Sequence, residues 1–210
     1  MESKSKQPES GKNAKLLKAI EAFLFRGMRA CLNRKAVWTP IPRGNIFKHK
    51  EGDFRLEVQY ELLEENKMSG KVSLFLKDVC VWEVTCSGFY SERDVPLLIR
   101  AWRKAYAKDE FFGGRGDIVE YRSKLNGSIR ICENRPFAGD FKKFGGSEKV
   151  TVVRGGDECQ SNRPITTLLI YFGGKKDIKD IHPTHQQIPV VDLFFNIGEQ
   201  MMKMFLPRAR

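Results

Sequence analysis

Apolar positions recur every three or four residues in two segments of the chain. The first segment, 14–33, places Leu24 and Met28 on one helical face, with lysines and arginines on much of the other side. The second segment begins near Asp94, a favourable N-cap residue, and its apolar stripe ends at Tyr106. Both segments are therefore predicted to form amphipathic helices.

Elsewhere the apolar positions alternate with polar ones, which is the pattern of a half-buried strand. The alternation from Phe54 to Leu62 predicts a strand with one solvated face, as in an antiparallel sheet. Short apolar runs between turn residues predict further strands at Val72–Leu76, Val79–Cys86, Ile118–Arg122, Ser128–Cys132, Lys149–Arg154 and Ile165–Phe172. A last amphipathic segment, Val191–Phe205, predicts a C-terminal helix.

The order of helix and strands is predicted to occur twice along the chain. Residues of the two helices align at an offset of 74 (98 − 24): Leu24, Arg26 and Arg29 with Leu98, Arg100 and Arg103. Constant spacing favours an internal duplication, although the few identities leave a chance alignment as the alternative.

The predicted fold class is therefore α+β, with two related helix-plus-antiparallel-meander halves packed as one unit and a C-terminal amphipathic helix. The expected divisions are a disordered polar tail at 1–13, a first half at 14–92, a second half at 93–180 and a C-terminal extension at 181–210.

Net charge changes this picture more than any other feature of the composition. The 210 residues include 37 lysines and arginines against 26 acidic residues, which gives +11 at pH 7 and a pI near 9.5. A surplus of this size attracts polyanions such as nucleic acid, acidic proteins or anionic lipid. A solubility surplus without a partner explains the same charge, and the two explanations carry equal weight at this point.

The candidate nucleic-acid contacts are cations on the two helices, at strand ends and in a glycine-rich tip. Duplication would place four arginines at equivalent outward helix positions: Arg26, Arg29, Arg100 and Arg103. Second choices are Lys142, Lys143, Lys175 and Lys176 at strand ends, with Arg115 in the tip Phe111–Asp117. Phosphate contacts give affinity without reading sequence. The leading hypothesis is a non-catalytic binding or regulatory module that contacts nucleic acid.

Several short motifs carry a family resemblance. The first half ends in Val81-Trp82-Glu83-Val84-Thr85-Cys86-Ser87-Gly88; the second contains Gly139-Asp140-Phe141, Phe144-Gly145-Gly146, Glu148 and Tyr171-Phe172-Gly173-Gly174. In these motifs the chain resembles a bacterial domain family of unknown function that occurs alone or behind helix-turn-helix regulator domains. The resemblance covers about 16–176 and departs at Cys86, where a tyrosine is common, and at an insertion, Glu158–Pro164. It implies no catalytic residue, because the family has no established activity.

Motifs that suggest an enzyme lack the context that their chemistry requires. Arg154-Gly155-Gly156-Asp157-Glu158 is similar to the turn signature of diguanylate cyclases, but the upstream aspartates that would bind Mg²⁺ are missing. Phe111–Asp117 lacks the pattern of a phosphate-binding loop. His182 and His185 have no cysteine nearby, whereas zinc sites use three or four ligands. No catalytic residue, cofactor or metal ligand is predicted, and a nucleotide-handling enzyme is the least favoured function.

Two carboxylates and two tryptophans have structural explanations as well as functional ones. Asp140 and Glu148 could form a carboxylate pair, but an exposed strand face and a turn explain them equally well. Trp82 and Trp102 occupy apolar stripes of predicted elements, so we expect both to be buried in the core.

The C-terminal extension offers a competing function. It is rich in methionine and phenylalanine, which suit an adaptable interface, and its candidate contacts are Leu193, Phe194, Met201, Met204 and Phe205. Packing onto the protein's own sheet is the first expectation for this segment. Otherwise it would make the chain a protein-interaction adaptor or a homodimer.

Cysteine usage and hydropathy give the expected location. The five cysteines include no Cys-x-x-Cys pair, which disfavours a disulfide framework and a zinc site. No apolar run approaches the ~18 residues of a membrane-spanning helix, and the polar N-terminus is unlike a secretory signal. A cytoplasmic protein with reduced cysteines is therefore predicted.

Overall fold

A computed structural model describes residues 9–63, 66–108, 121–125, 128–153 and 164–176. Two α-helices are present in these ranges, α1 (Glu9–Cys31) and α2 (Val95–Tyr106), the second entered through a 3-10 turn at Glu92–Asp94. The strands are β1 (Thr39–Ile41), β2 (Gly44–Glu51), β3 (Phe54–Leu62), β4 (Lys67–Leu76), β5 (Val79–Phe89), β6 (Tyr121–Leu125), β7 (Ser128–Asp140), β8 (Lys143–Val153) and β9 (Ile165–Lys175).

All nine strands belong to one antiparallel sheet, in the order β1-β2-β3-β4-β5-β9-β8-β7-β6. Each of the two runs β1–β5 and β6–β9 is a meander in which consecutive strands pair. The runs are joined by β5 and β9, whose register extends from Trp82 opposite Lys175 to Phe89 opposite Leu168. The centre of the sheet is therefore a pairing between residues far apart in sequence.

This arrangement corrects the predicted fold class. The prediction of two α+β halves with a C-terminal helix is wrong, because strands make up 57% of the structure and helices 26%, and a single sheet crosses the predicted division. The backbone hydrogen bonds between β5 and β9 make the two meanders one continuous layer. The predicted C-terminal helix, Val191–Phe205, lies outside the described residues.

Individual elements were predicted unevenly. Strand β3 has the predicted bounds, and α2 lies where the helical periodicity placed it. Helix α1 overlaps the predicted segment 14–33 but begins at Glu9, so 9–13 are helical although they were assigned to a disordered tail. Strands β1 and β2 were not predicted; β1 contains Pro40, which an edge strand tolerates because its outer N–H side needs no partner. Strands β7 and β8 extend well beyond the predicted segments Ser128–Cys132 and Lys149–Arg154.

Both helices pack on one face of the sheet, which we call the helix face. Helix α1 lies over β2 and β3, where Gly27 permits close contact because a Cβ at that position would come within 2.6 Å of Leu56 Cδ2. Helix α2 lies over β7 and β6 and packs Leu98 and Ala101 against Cys132 of β7. The two helices also contact each other.

A buried ionic network holds the start of α2 on the sheet. Asp94 is fully buried, and its carboxylate accepts a hydrogen bond from the guanidinium of Arg130 on β7. The hydroxyls of Thr166 and Thr167 on β9 donate to the other carboxylate oxygen at 2.6 and 2.7 Å. Asp94 therefore occupies the predicted N-cap position but directs its side chain into the sheet instead of capping the helix.

The predicted core tryptophans make polar contacts as well as apolar ones. Trp82 is fully buried and its indole N–H donates to the carbonyl of Phe141 at 3.0 Å, with the two rings stacked at 5.3 Å. Trp102 is half-buried and donates to Glu148 Oε1 at 2.6 Å. No helix in the described part of the chain is long and apolar enough to cross a membrane.

Candidate anion-binding cleft between the helix ends

The C-terminal ends of α1 and α2 meet on the outer side of the helix layer. Phe25 and Tyr106 pack with ring centroids 6.0 Å apart, and the chain leaves both helices close to this contact. A cleft of about 530 Å³ opens here, lined by Arg29, Leu32, Asn33, Arg34, Lys35, Arg103, Tyr106 and Ala107. We call it the helix-end cleft.

Two arginines bind the helix ends to each other. Arg29 of α1 donates to the carbonyl of Tyr106 at 3.3 Å, and Arg103 of α2 donates to the carbonyl of Leu32 at 2.5 Å. The exchange is reciprocal, because each helix supplies one arginine and one carbonyl. The positions are also equivalent in the two helices, since Arg29 and Arg103 are 74 residues apart and so are Leu32 and Tyr106. Each guanidinium thus satisfies a carbonyl that the end of an α-helix leaves without an intrahelical donor.

Two further cations line the cleft from the turn that follows α1. Arg34 and Lys35 are both exposed. Their turn is fixed by Asn33, whose side-chain oxygen accepts a hydrogen bond from the Lys35 backbone N–H at 2.9 Å. The cleft therefore combines two cations that bridge the helices with two whose side chains face solvent.

Positive charge in the cleft lies beside two helix ends. A helix C-terminus carries a partial charge of about −0.5, which attracts cations. No carboxylate is among the described residues that line the cleft, and Asp109 and Glu110, which follow α2 in sequence, lie outside the described residues. Arg34 and Lys35 are exposed and form no ion pair among the described residues, so these two side chains carry the positive charge that the cleft offers to a ligand.

The other predicted helix arginines do not join this cleft. Arg26 is held by Glu51, with Nε and Oε2 2.9 Å apart, and lies over the ring of Phe23. Arg100 is exposed on α2 and is not part of the cleft lining. Of the four arginines expected to share one basic face, the structure brings Arg29 and Arg103 together and separates the other two.

The predicted strand-end lysines form a second basic cluster at the turn between β7 and β8. Lys142, Lys143 and Lys175 are exposed, and the Lys175 backbone N–H donates to the Lys142 carbonyl at 2.8 Å. Lys176 differs from them because its ammonium group lies 3.0 Å from Glu83 Oε1.

On the sheet face opposite the helices, cations are paired with three glutamates. Glu57 contacts Lys48 and Arg55, Glu83 contacts Lys71 and Lys176, and Glu133 contacts Arg135 and Lys149. Register places Glu57 and Glu83 on either side of Ser73 in one row. We call this surface the paired face.

The pairing changes the protonation behaviour of two of these glutamates. Burial by itself would raise the pKa of Glu83, but hydrogen bonds and positive charge from Lys71 and Lys176 outweigh it and hold that pKa below its ordinary value. The same competition, with Lys149 and Arg135 as the cations, lowers the pKa of Glu133. Both groups are therefore held as carboxylates at neutral pH.

Two of the alternative chemistries from the sequence involve residues that the structure describes. Asp140 and Glu148 do not form a pair: Asp140 is exposed and accepts hydrogen bonds from the backbone N–H groups of Lys142 and Lys143, while Glu148 is buried against Trp102. The described histidine, His49, contacts Glu51 at 2.9 Å. No group of three or more potential metal ligands occurs among the described residues.

Cys31, Cys80, Cys86 and Cys132 are not joined in disulfides. Burial raises the pKa of Cys31 to about 12, and it is also the largest cause of the raised pKa of Cys80. Thiols with raised pKa are poor nucleophiles.

Several predicted site residues lie outside the described residues. These are Arg115, the histidines His182 and His185, the turn at 154–158 and the C-terminal contacts Leu193, Phe194, Met201, Met204 and Phe205.

Arg34 and Lys35 were missed as site residues. The sequence shows a run of cations around the end of α1, but periodicity assigns it to a solvated helix face. The signal that identifies these two residues is their position just past a helix end that meets a second helix end, and this appears only in three dimensions.

A scan against protein-family models and a search of curated proteins found no match to this chain.

Proposed function

We propose that the protein is a non-catalytic module that binds a polyanion, the phosphate backbone of nucleic acid, through the helix-end cleft. The observation that carries the proposal is the position of two exposed cations, Arg34 and Lys35, which form no ion pair among the described residues and line one cavity together with Arg29 and Arg103.

The different contacts of the four cations support this function. Arg29 and Arg103 use hydrogen bonds to backbone carbonyls and so keep the helix ends at a fixed separation. Arg34 and Lys35 are exposed and directly available to a ligand. Positive charge on a preorganised support costs little conformational entropy on binding.

Contacts to phosphate give affinity that depends strongly on salt. Each phosphate neutralised by a cation contributes about −0.7 to −0.9 to the slope of log K against log salt concentration. We also propose a cytoplasmic location, since the four described cysteines are not joined in disulfides.

The test is fluorescence anisotropy with labelled oligonucleotides between about 50 and 200 mM salt. The double variant Arg34→Glu/Lys35→Glu is expected to weaken binding at least tenfold at the low-salt end and to flatten the salt slope by about 1.5, as expected for two lost phosphate contacts. Neither side chain forms an ion pair among the described residues, so we expect the fold to be retained.

The matched control reverses two exposed lysines outside the cleft, Lys15→Glu/Lys50→Glu. It changes net charge by the same amount, so it reports the general electrostatic attraction alone. A clearly larger loss in the cleft variant supports the proposal. Equal losses would assign binding to the overall charge, and absence of binding by the unmodified protein at low salt would refute the function itself.

A further inference from the structure

Strand β7 presents an aromatic ring to solvent three residues before its end at Asp140. Phe137 is 45% exposed, and no other aromatic side chain that the structure describes falls in the exposed class. Isolated exposed apolar residues are common on proteins, so the surroundings of Phe137 decide whether its exposure has a use.

The exposure of Phe137 results from a break in strand register. Pro136 of β7 lies opposite Gly146 of β8, and Ala138 lies opposite Gly145, which leaves Phe137 as an extra residue without a partner. Bulges of this kind redirect a side chain that regular pairing would place on one sheet face.

The backbone around Phe137 is firmly held. Gly139 has φ +106°, and a Cβ there would lie 1.9 Å from the Lys143 carbonyl oxygen, so the turn requires glycine. On the other side of the turn, the Phe141 ring stacks on Trp82 and its carbonyl accepts the indole N–H. The ring of Phe137 is therefore presented from a preformed support.

Three exposed lysines lie at the end of the sheet toward which β7 runs beyond Phe137. Lys142 lies in the turn, Lys143 begins β8, and Lys175 is joined to Lys142 by a backbone hydrogen bond. Asp140 is the carboxylate at this turn, and it is engaged by the backbone N–H groups of Lys142 and Lys143 at 2.8 and 3.3 Å. Three lysines against one carboxylate leave the turn positive.

An exposed aromatic ring with exposed cations nearby in the chain is a combination by which proteins bind unpaired nucleotides. The ring stacks on a base while the cations contact the adjoining phosphates. A duplex offers phosphates but keeps the faces of its bases within the stack. The turn therefore favours single strands, whereas the helix-end cleft supplies attraction to phosphate in either form.

We propose that the nucleic acid bound by this protein is single-stranded, with a base stacked on Phe137 and its neighbouring phosphates near Lys142, Lys143 and Lys175. This inference rests on the proposed function and narrows its ligand.

The experiment compares anisotropy titrations of one labelled oligonucleotide, single-stranded and as a duplex, with Phe137→Ala and Phe137→Trp. Loss of the ring is expected to weaken single-strand binding about tenfold and to change duplex binding less than about twofold. The tryptophan variant is expected to keep single-strand affinity and to show quenched emission on binding.

Leu62→Ala is the matched control, because Leu62 is 44% exposed on β3, five strands from β7 in the sheet order. It is expected to bind both forms like the unmodified protein. If Phe137→Ala leaves single-strand binding unchanged while Arg34→Glu/Lys35→Glu weakens it, the stacking inference is wrong and the proposed function stands. If the unmodified protein binds neither the single strand nor the duplex, the proposed function and the stacking inference are both wrong. If Phe137→Ala weakens binding of the single strand and of the duplex equally, the stacking inference is wrong.

Discussion

The helix-end cleft has four cations in its lining and the paired face has six, and the two surfaces differ in the described carboxylates beside them. On the paired face each of three glutamates lies within hydrogen-bonding or ion-pairing distance of two cations, as in Glu83 with Lys71 at 2.8 Å and Lys176 at 3.0 Å. In the cleft the cations share their lining with apolar and amide side chains and no described carboxylate.

This comparison shows why a net charge of +11 does not identify a binding surface. Screening limits the reach of surface charges to about 10 Å at 0.1 M salt, so a polyanion responds to the charges within that distance. A cation paired with a neighbouring glutamate contributes little to the local potential. In the cleft, Arg34 and Lys35 form no ion pair among the described residues, whereas on the paired face the cations share glutamates across the sheet.

The largest expected loss of stability comes from weakening the attachment of α2, which carries Arg103 of the cleft, to the sheet. Arg130→Met removes the guanidinium that pairs with the fully buried Asp94 at the start of α2. Losing one partner of a buried ion pair leaves an uncompensated charge, and we expect a loss of about 3–5 kcal/mol in the free energy of unfolding. Urea denaturation followed by circular dichroism measures it.

Two controls accompany this change. Arg100→Met alters an exposed arginine of the same helix and is expected to change stability by less than about 0.5 kcal/mol. Asp94→Asn/Arg130→Met removes both charges and is expected to recover part of the loss. A cost below about 1 kcal/mol for Arg130→Met alone would show that the threonine hydroxyls suffice for Asp94.

The part of the fold that could be predicted is the part with local signals. Strand β3 was predicted with its bounds because Phe54–Leu62 alternates between a core face and a solvated face. Strand β8 was predicted too short because Gly145 and Gly146 interrupt the alternation, although a Cβ at residue 146 would lie 2.3 Å from Tyr171 Oη and glycine is needed there. The single sheet depends on pairing between β5 and β9, for which the local pattern contains no signal.

A smaller loss of stability is expected to distinguish the cation that bridges the helices, Arg103, from an exposed cation of the cleft, Arg34. Arg103→Met removes the donor to the Leu32 carbonyl at the end of α1, and we expect it to cost about 1–2 kcal/mol of unfolding free energy. Arg34→Met removes an exposed guanidinium and should cost less than about 0.5 kcal/mol. Both should weaken oligonucleotide binding, so equal stability costs would contradict the assignment of Arg103 as the structural cation.

The candidate site was predictable only in part, because its contacts join residues that are far apart in sequence and leave no local signal. Sequence periodicity places Arg29 and Arg103 at equivalent helix positions but cannot show that each reaches the carbonyl of the other helix. It also grouped Lys176 with the free strand-end lysines, whereas Glu83 on the neighbouring strand binds it. Whether a cation is available depends on cross-strand neighbours, which pairing between distant strands determines.

The smallest expected effect comes from unbalancing the paired face with Glu83→Gln. The folded protein holds the pKa of Glu83 below its ordinary value, so this carboxylate stabilises the fold above the pKa of the unfolded chain, about 4.5, and the contribution is lost as pH falls through the lowered folded pKa. We expect the variant to be less stable by about 1 kcal/mol near pH 7 and the difference to shrink toward zero in strong acid. Urea titrations at several pH values measure this convergence, with the exposed Glu92→Gln as a control that should differ little from the unmodified protein at any pH.

The same substitution is also expected to affect binding. Because Lys71 and Lys176 lose their shared partner, oligonucleotide binding at low salt should rise slightly, by about twofold. A stability difference that stays constant across this pH range would show that Glu83 acts through packing and not through its charge, and the contrast between a balanced and an unbalanced surface would then lose its electrostatic basis.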